Sequence, residues 1–292
     1  MSRIDLTMRT RVMTAVVLLL LLIGVLSSGL EWVWVTCLAV ILVLAMNEWA
    51  LLCRVQAWRW RILIVSLTLL AAYARYQHPQ TLIAGHGLMS PWLIFAVLWT
   101  LSATWLLRRP LALVRGMATT ESLLCLPLGM LCLLALADAL LQLYRINITV
   151  LVASMSVVWV SDSVAYFAGR RFGKRKLAPE ISPGKSWEGV WAALMAVSLM
   201  GAIWPALFPN YLPDIVTDSP HPSIWMAALC LLTAVAGISG DLVESRLKRV
   251  AGVKDSGRCL PGHGGILDRI DALIPAMPVM AWAYTATVMQ HA

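Results

Sequence analysis

Charge is what this chain has least of. Asp, Glu, Lys and Arg make up 13% of its 292 residues, against about 25% in a water-soluble domain. That scarcity excludes soluble packing at this length, because too few charged side chains exist to face water. Paired cysteines are also missing. Cys37, Cys53, Cys125, Cys132, Cys230 and Cys259 form no C-x-x-C pair, and all but Cys259 lie in apolar runs. A disulfide framework is excluded, and the thiols read as reduced, small, apolar fillers. There is no internal repeat and no low-complexity tract. Acidic residues fall short of basic ones, 15 against 23, for a formal charge of +8. Such a balance invites a nucleic-acid reading, but the placement of the cations argues against it.

What is present is apolar: 60% of residues are hydrophobic and the mean hydropathy is +0.78. Segments near 12–30, 32–53, 62–77, 88–107, 122–144, 148–169, 187–208, 223–241 and 266–288 approach the ~20 residues needed to cross a bilayer, the third being short. The expected fold is therefore all-α, a polytopic integral membrane protein of about nine transmembrane helices. Arg3, Arg9 and Arg11 before the first segment suggest a retained signal-anchor. With the N-terminus cytoplasmic, 21 of the 23 Lys and Arg residues fall on the cytoplasmic side, leaving Arg75 and Arg145 outside. This bias supports the orientation and makes the positive charge a topology signal with attraction to anionic membrane lipids. Trp32, Trp58, Trp60, Trp92 and Trp187 sit near segment ends, as interfacial anchors do. Residues 1–150 read as a lipid-facing scaffold, and residues 151–292 as the region with chemistry, in cytoplasmic loops 170–186 and 242–265.

The eighth segment ends in GISGDLVESRLKR. Asp241, Glu244, Ser245 and Lys248 share one helix face there; a helix end emerging into water would also carry such charges. The stretch KDSGRCLPGHGGILDRID, Lys254 to Asp271, is harder to explain as a solvated face. Pro261, Gly262, His263, Gly264 and Gly265 have little side-chain bulk, and such a loop lets backbone N–H groups converge on an anion. Ile266, Leu267, Ile270, Leu273 and Ile274 then take helical spacing, with Asp268 and Asp271 near the start. Complementing the helix dipole accounts for one of these carboxylates. It leaves the glycines, His263, Lys254 and Asp255 unexplained.

Asp241 and Asp268 come from different helices at one membrane face. They are the expected ligands of a hard divalent cation such as Mg²⁺, which is commonly held by one or two carboxylates plus phosphate; Glu244 is counted beside Asp241. Asp162, about two turns inside the sixth segment, is a costly intramembrane carboxylate and functional by default, unless it is a structural Asp bonded to a neighbouring Ser. In GRRFGKRKLAPEISPGKSWEG the tail PGKS mimics a P-loop. Pro179 occupies the position of the first glycine and a membrane helix precedes it, so the motif fails. Its useful content is Lys174, Lys176 and Lys185 with Ser182 and Ser186, although cytoplasmic charge alone explains some of these. Glu48 reads as snorkelling or pairing with Arg54, and Asp138 has no assigned role. Carboxylates for metal, cations for phosphate and a glycine loop together point to phosphoryl or nucleotidyl transfer.

Ser245 to Asp271, SRLKRVAGVKDSGRCLPGHGGILDRID, resembles the signature of the phosphatidate cytidylyltransferases, also called CDP-diacylglycerol synthases. The shared positions are Ser245, Lys248, Arg249, Lys254, Asp255, Gly257, His263, Gly264, Gly265, Asp268, Arg269 and Asp271. Asp162 through Lys185, the Gly240-Asp241 pair and, in the first half, Glu48-Trp49 are similar too. The resemblance implies condensation of CTP with phosphatidic acid to CDP-diacylglycerol and pyrophosphate. The site would lie at the cytoplasmic face of a bacterial-type inner membrane. It also implies Mg²⁺ at Asp241 and Asp268, a second cation, K⁺, and a homodimer. Catalytic roles then fall to Asp162, Lys185, Lys248, Arg249, Lys254, Asp255, His263, Arg269 and Asp271. Substrate contacts fall to Lys174, Lys176, Ser182, Ser186, Gly264 and Gly265. The rival readings are a CTP-dependent lipid kinase of the polyprenol or phytol type and, in another class, a proton-coupled transporter using Glu48, Asp138 and Asp162.

Overall fold

Long apolar runs become long helices. The computed structural model describes residues 3–77, 91–108 and 120–285. Of the cations expected on the cytoplasmic side, Arg109 and Arg115 lie outside the described residues. In chain order the helices are α1 (Arg3–Ser27), α2 (Glu31–Leu52), α3 (Trp58–Gln77), α4 (Pro91–Arg108), α5 (Thr120–Ile146) and α6 (Ile148–Phe172). A hairpin follows, β1 (Lys176–Ala178) and β2 (Ser182–Ser186). Then come α7 (Trp187–Leu207), the short α8 (Asp214–Thr217), α9 (Pro222–Ala251), the four-residue α10 (Leu267–Ile270) and α11 (Leu273–Thr285). Among the described residues five helices, α2, α5 from Cys125, α6, α7 and α9, are long and apolar enough to cross a membrane. The protein is an all-α integral membrane protein apart from the hairpin. None of the six cysteines is in a disulfide; the Cys53 thiol donates to that of Cys125 at 2.7 Å.

Side-chain caps place the breaks. The Asn147 side chain accepts from the N–H of Thr149 at 2.8 Å and separates α5 from α6. Ser186 accepts from the N–H of Gly189 and starts α7. Each satisfies a donor that the first helical turn leaves free. Helix α11 lies at the centre, with every residue from Leu273 to Ala281 buried, packed by α9, α5, α4 and α6. Between apolar helices in lipid, close packing has to supply the association that water would otherwise drive. The Trp34 and Tyr144 rings stack 5.7 Å apart in the same core, joining α2 to α5.

The helix expected to carry Asp241, Glu244, Ser245 and Lys248 on one face beyond the eighth segment is present: α9 runs to Ala251, with Leu242 and Val243 buried against the bundle. It stops at Gly252, whose φ of +79° sets the left-handed turn that returns the Gly252 and Val253 N–H groups to the carbonyls of Arg249 and Lys248. The ninth segment is broken into α10 and α11. Pro275 has no N–H to bond the Asp271 carbonyl, so the helix cannot run through unbroken. The backbone of α9 closes on the break, where a Cβ at Gly240 would fall on the Asp271 carbonyl oxygen. The PGKS tail, expected in a loop, is strand β2, antiparallel to β1.

Candidate active site

The last three turns of α6, the start of α7, the middle of α9, the hairpin and α10 enclose a cavity of about 660 Å³. Asp162, Lys176, Ser182, Lys185, Ser186, Asp241, Asp268, Arg269 and Asp271 line it, joined by Tyr166 and Arg170. Nine of the predicted residues, spread over more than a hundred positions of sequence, therefore share one wall system. Lys185 reaches back from β2 to Asp241 on α9, Nζ to Oδ2 2.5 Å. The other Asp241 oxygen accepts from the Ser245 hydroxyl at 3.1 Å. Lys248 Nζ lies 2.6 Å from Asp268 Oδ1 and also contacts Glu244. Asp268 Oδ2 takes the backbone N–H groups of Gly265 at 2.8 Å and Ser256 at 3.0 Å. Partial burial alone would raise the Asp268 pKa. The Lys248 ammonium and the two N–H donors outweigh it and hold the carboxyl below its ordinary value. Asp271 goes the other way: burial first, then the Asp241 carboxylate, push it up to about 7.

Several expectations need correcting. Glu244 was counted as a metal ligand, but it is 2% exposed, lies outside the cavity wall and faces Lys248. Lys248 and Arg249 also stand behind the wall. Lys248 ties α9 to α10, and Arg249 Nε donates to the Ile181 carbonyl at 3.1 Å, holding the hairpin turn. Ser186 is 4% exposed and spends its hydroxyl on capping α7. The Lys174 side chain is not on the cavity wall; its backbone N–H and that of Arg175 bond Glu188. Glu48 does not pair with Arg54, whose guanidinium donates to the Val250 carbonyl at the end of α9.

The glycine loop holds the largest correction. Its N–H groups were expected to cradle a substrate phosphate, yet they converge on the protein's own carboxylates. Gly265 N–H bonds Asp268, and the next two, Ile266 and Leu267, bond Glu48. Gly264, at φ +83°, brings the backbone against Asp268, where any side chain would collide. Lys254, Asp255, His263 and Gly264 line a second cavity of about 640 Å³ on the other side of this loop, together with Arg258. Arg269 borders both cavities and donates to the His263 carbonyl at 2.8 Å.

The donors can be tested against a metal. Among the described residues no three His, Cys, Asp or Glu side chains converge into a cage. Asp241 and Asp268 instead each present one oxygen to an ammonium while the other oxygen is held by the protein. That arrangement fits a divalent ion held by one or two carboxylates, with phosphate oxygens and water completing its shell. It does not fit a closed all-protein site.

Sequence reasoning missed three contributors. Tyr166 and Arg170, a turn apart on α6 and bonded to each other at 3.3 Å, line the cavity. Their spacing from Asp162 on one helix face was the available signal. Glu48 is the third, and its partners at 256–267 lie too far along the chain for any local signal to mark it.

A cavity between apolar helices, lined by four aspartates and by Lys and Arg, has the charge pattern of a site for phosphate groups in an integral membrane protein. A family model described as the cytidylyltransferase family matches residues 9–287, and the chain belongs to that family. A phosphatidate cytidylyltransferase of Pseudomonas aeruginosa is 35% identical over 282 residues, 94% of this chain and 97% of that protein. Those of Haemophilus influenzae and Bacillus subtilis are 46% and 42% identical over 128 and 139 residues. These last two matches span 43% and 48% of the relatives' lengths, about half, and 44% and 48% of this chain.

Proposed function

We propose that this protein condenses CTP with phosphatidate, giving CDP-diacylglycerol and pyrophosphate. The observation that carries the reading is the single cavity in which Asp162, Asp241, Asp268 and Asp271 meet Lys176, Lys185 and Arg269. An ionised phosphatidate oxygen attacks the α-phosphorus of CTP. The new P–O bond forms as the bond to the α,β-bridging oxygen breaks, and pyrophosphate leaves with the electron pair. The nucleophile is already deprotonated, so no Ser or Cys nucleophile and no general base is required.

The protein's task is to bring two polyanions together and hold them in line. Lys185 and Lys176 stand on the hairpin side and Arg269 on the α10 side, where they can neutralise triphosphate and headgroup oxygens. Asp241 and Asp268 are the residues that would hold Mg²⁺. Bound there, the ion would supply positive charge to offset that of the triphosphate. Asp162 and Asp271 border the same space. Because the cavity opens among apolar helix ends, the lipid tails stay in the bilayer while the headgroup enters.

In this reading α1–α7, α9 and α11 give nine crossings, with the N-terminus and the site on the cytoplasmic side of the inner membrane. The first 150 residues serve as lipid-facing scaffold and as the contact surface of a homodimer. The transporter reading is not favoured, because its relay is dispersed. Glu48 is bonded to the 256–267 segment and Asp138 to Arg75. The decisive experiment incubates purified protein with labelled CTP, phosphatidic acid and Mg²⁺. Pyrophosphate and CDP-diacylglycerol are expected; CDP with a newly phosphorylated lipid would identify the lipid kinase and overturn the proposal.

A further inference from the structure

We infer that Glu48, from the N-terminal half, is a positioning residue for the catalytic loop, holding residues 256–267 so that Asp268 faces the cavity. The inference rests on the reading of Asp268 as a functional carboxylate.

Glu48 lies one turn from the end of α2 and is 2% exposed. Its carboxylate accepts three hydrogen bonds from a segment more than two hundred residues away. Oε2 takes the Ser256 hydroxyl at 3.0 Å and the Leu267 N–H at 2.9 Å, and Oε1 takes the Ile266 N–H at 3.1 Å. A buried carboxylate carries a large desolvation cost unless donors surround it. Here three donors do so, and all belong to the loop. The same loop residues hold Asp268. Ser256 gives its hydroxyl to Glu48 and its N–H to Asp268 Oδ2, and the adjoining Gly265 N–H bonds that same oxygen. Two carboxylates thus grip the two ends of one loop from opposite sides, and releasing one loosens the seat of the other.

Two further features serve this contact. A Cβ at Gly257 would fall on the Glu48 carboxylate, and one at Gly265 on both that carboxylate and the Ser256 hydroxyl. These loop glycines make room for Glu48, in addition to any bend they permit. Next to Glu48, Trp49 fixes the end of α2: its indole N–H donates to the Cys125 carbonyl at 2.9 Å, and its ring fills the place of a side chain at Gly129 on α5. The clamp is therefore anchored to the scaffold helices and does not float with the loop.

The test compares wild type, Glu48→Gln, Glu48→Asp, Ser256→Ala and Asp268→Asn as full-length protein in detergent. Backbone hydrogen exchange and steady-state kinetics are the two readouts. The glutamine keeps size and one acceptor but turns an NH₂ toward loop donors. In Glu48→Gln, amides within 256–267 are expected to exchange at least ~10-fold faster while those of 225–240 stay unchanged, the signature of local opening. Its kcat falls about 30-fold with the KM for CTP within about threefold, as expected for a misplaced but still liganded site. Glu48→Asp recovers part of both losses. Should Glu48→Gln fail to fold, Ser256→Ala removes only the hydroxyl and still predicts faster exchange at 256–260 with a smaller loss in kcat. Wild-type exchange and kcat in these variants would overturn the inference, and so would equally faster exchange across the whole chain. A fully active Asp268→Asn beside a loosened loop in Glu48→Gln would remove the role of Asp268 and leave the clamp standing. A dead Asp268→Asn beside wild-type behaviour in Glu48→Gln would do the reverse.

Discussion

Both ends of the helix bundle carry ion pairs between distant helices, and the two ends use them differently. At the end far from the cavity the cations are arginines matched one to one. Arg75 bonds Asp138 at 2.5 Å, and Arg145 bonds Glu31 at 2.6 Å with its guanidinium over the Tyr76 ring. At the cavity end the cations are lysines. Lys185 meets Asp241 across an open space, and Lys248 is shared by Glu244 and Asp268. A guanidinium locks a planar bond pattern, whereas an ammonium is a point charge on a flexible stem. One end fastens α2, α3 and α5. The other leaves Lys185 on the cavity wall, within reach of an incoming anion, with Lys248 behind it. If this contrast is right, substitutions at the two ends should separate activity from stability.

The largest effect is expected at the carboxylates of the cavity. Asp241→Asn or Asp268→Asn should lower kcat by about 10³-fold or more, the scale set by losing a preorganised electrostatic contact or a metal ligand. Asp241→Asn keeps an acceptor oxygen for the Ser245 hydroxyl, so its Tm in detergent should stay within a few degrees, whereas Asp268→Asn turns an NH₂ toward a donor and should lose some Tm as well as rate. Near-normal turnover in both variants would dissolve the contrast at its functional end. Lys185→Met comes next, with about a 10²-fold loss in kcat/KM for CTP and an intact fold. Lys248→Met should look different. It strands the buried Glu244 opposite no cation, so loss of stability should accompany the loss of rate. Equal behaviour of the two lysine variants would show that the cavity and its backing are not distinct layers.

At the far end the prediction inverts. Asp138→Ala leaves Arg75 without its carboxylate in a part-buried setting. A destabilisation of about 1–3 kcal/mol is expected, reduced from that of a fully buried pair by partial exposure. Turnover per folded molecule should remain within about twofold of wild type. A tenfold fall in rate with an unchanged Tm would place Asp138 in function and revive the relay that the structure disfavours.

How much of this was legible in the sequence follows from the distance over which each residue acts. Asp162, Lys185, Asp241, Asp268 and Asp271 could be singled out because each breaks an apolar pattern or sits beside glycines, and the cavity gathers them all. Helix ends were harder. The break at Asp271 was visible as Pro275, but its depth depends on Gly240 of another helix. Glu48 was the least legible. Its partners lie 208 to 219 positions away, and nothing near it in sequence distinguishes a clamp from a snorkelling charge. The glycine loop misled for a related reason: it is an anion cradle, but its anions are built into the chain.

The smallest effect separates the aspartates of the cavity from one another. Burial and the Asp241 carboxylate lift Asp271 to about 7, whereas an unfolded Asp titrates near ~3.9. Between these values the folded protein holds a proton that the unfolded chain has released. Stability is therefore full below about pH 4 and declines as pH rises toward 7, the reverse of a salt-bridged carboxylate such as Asp268. Asp271→Asn does not titrate and keeps the oxygen that accepts the Ala272 N–H at 2.8 Å. In chelator, without substrate, the wild-type Tm should fall between pH 5 and pH 8 by a few degrees more than that of Asp271→Asn. Parallel slopes would mean that Asp271 is already ionised in the empty cavity, and that its charge, like that of Asp241, is balanced by the lysines.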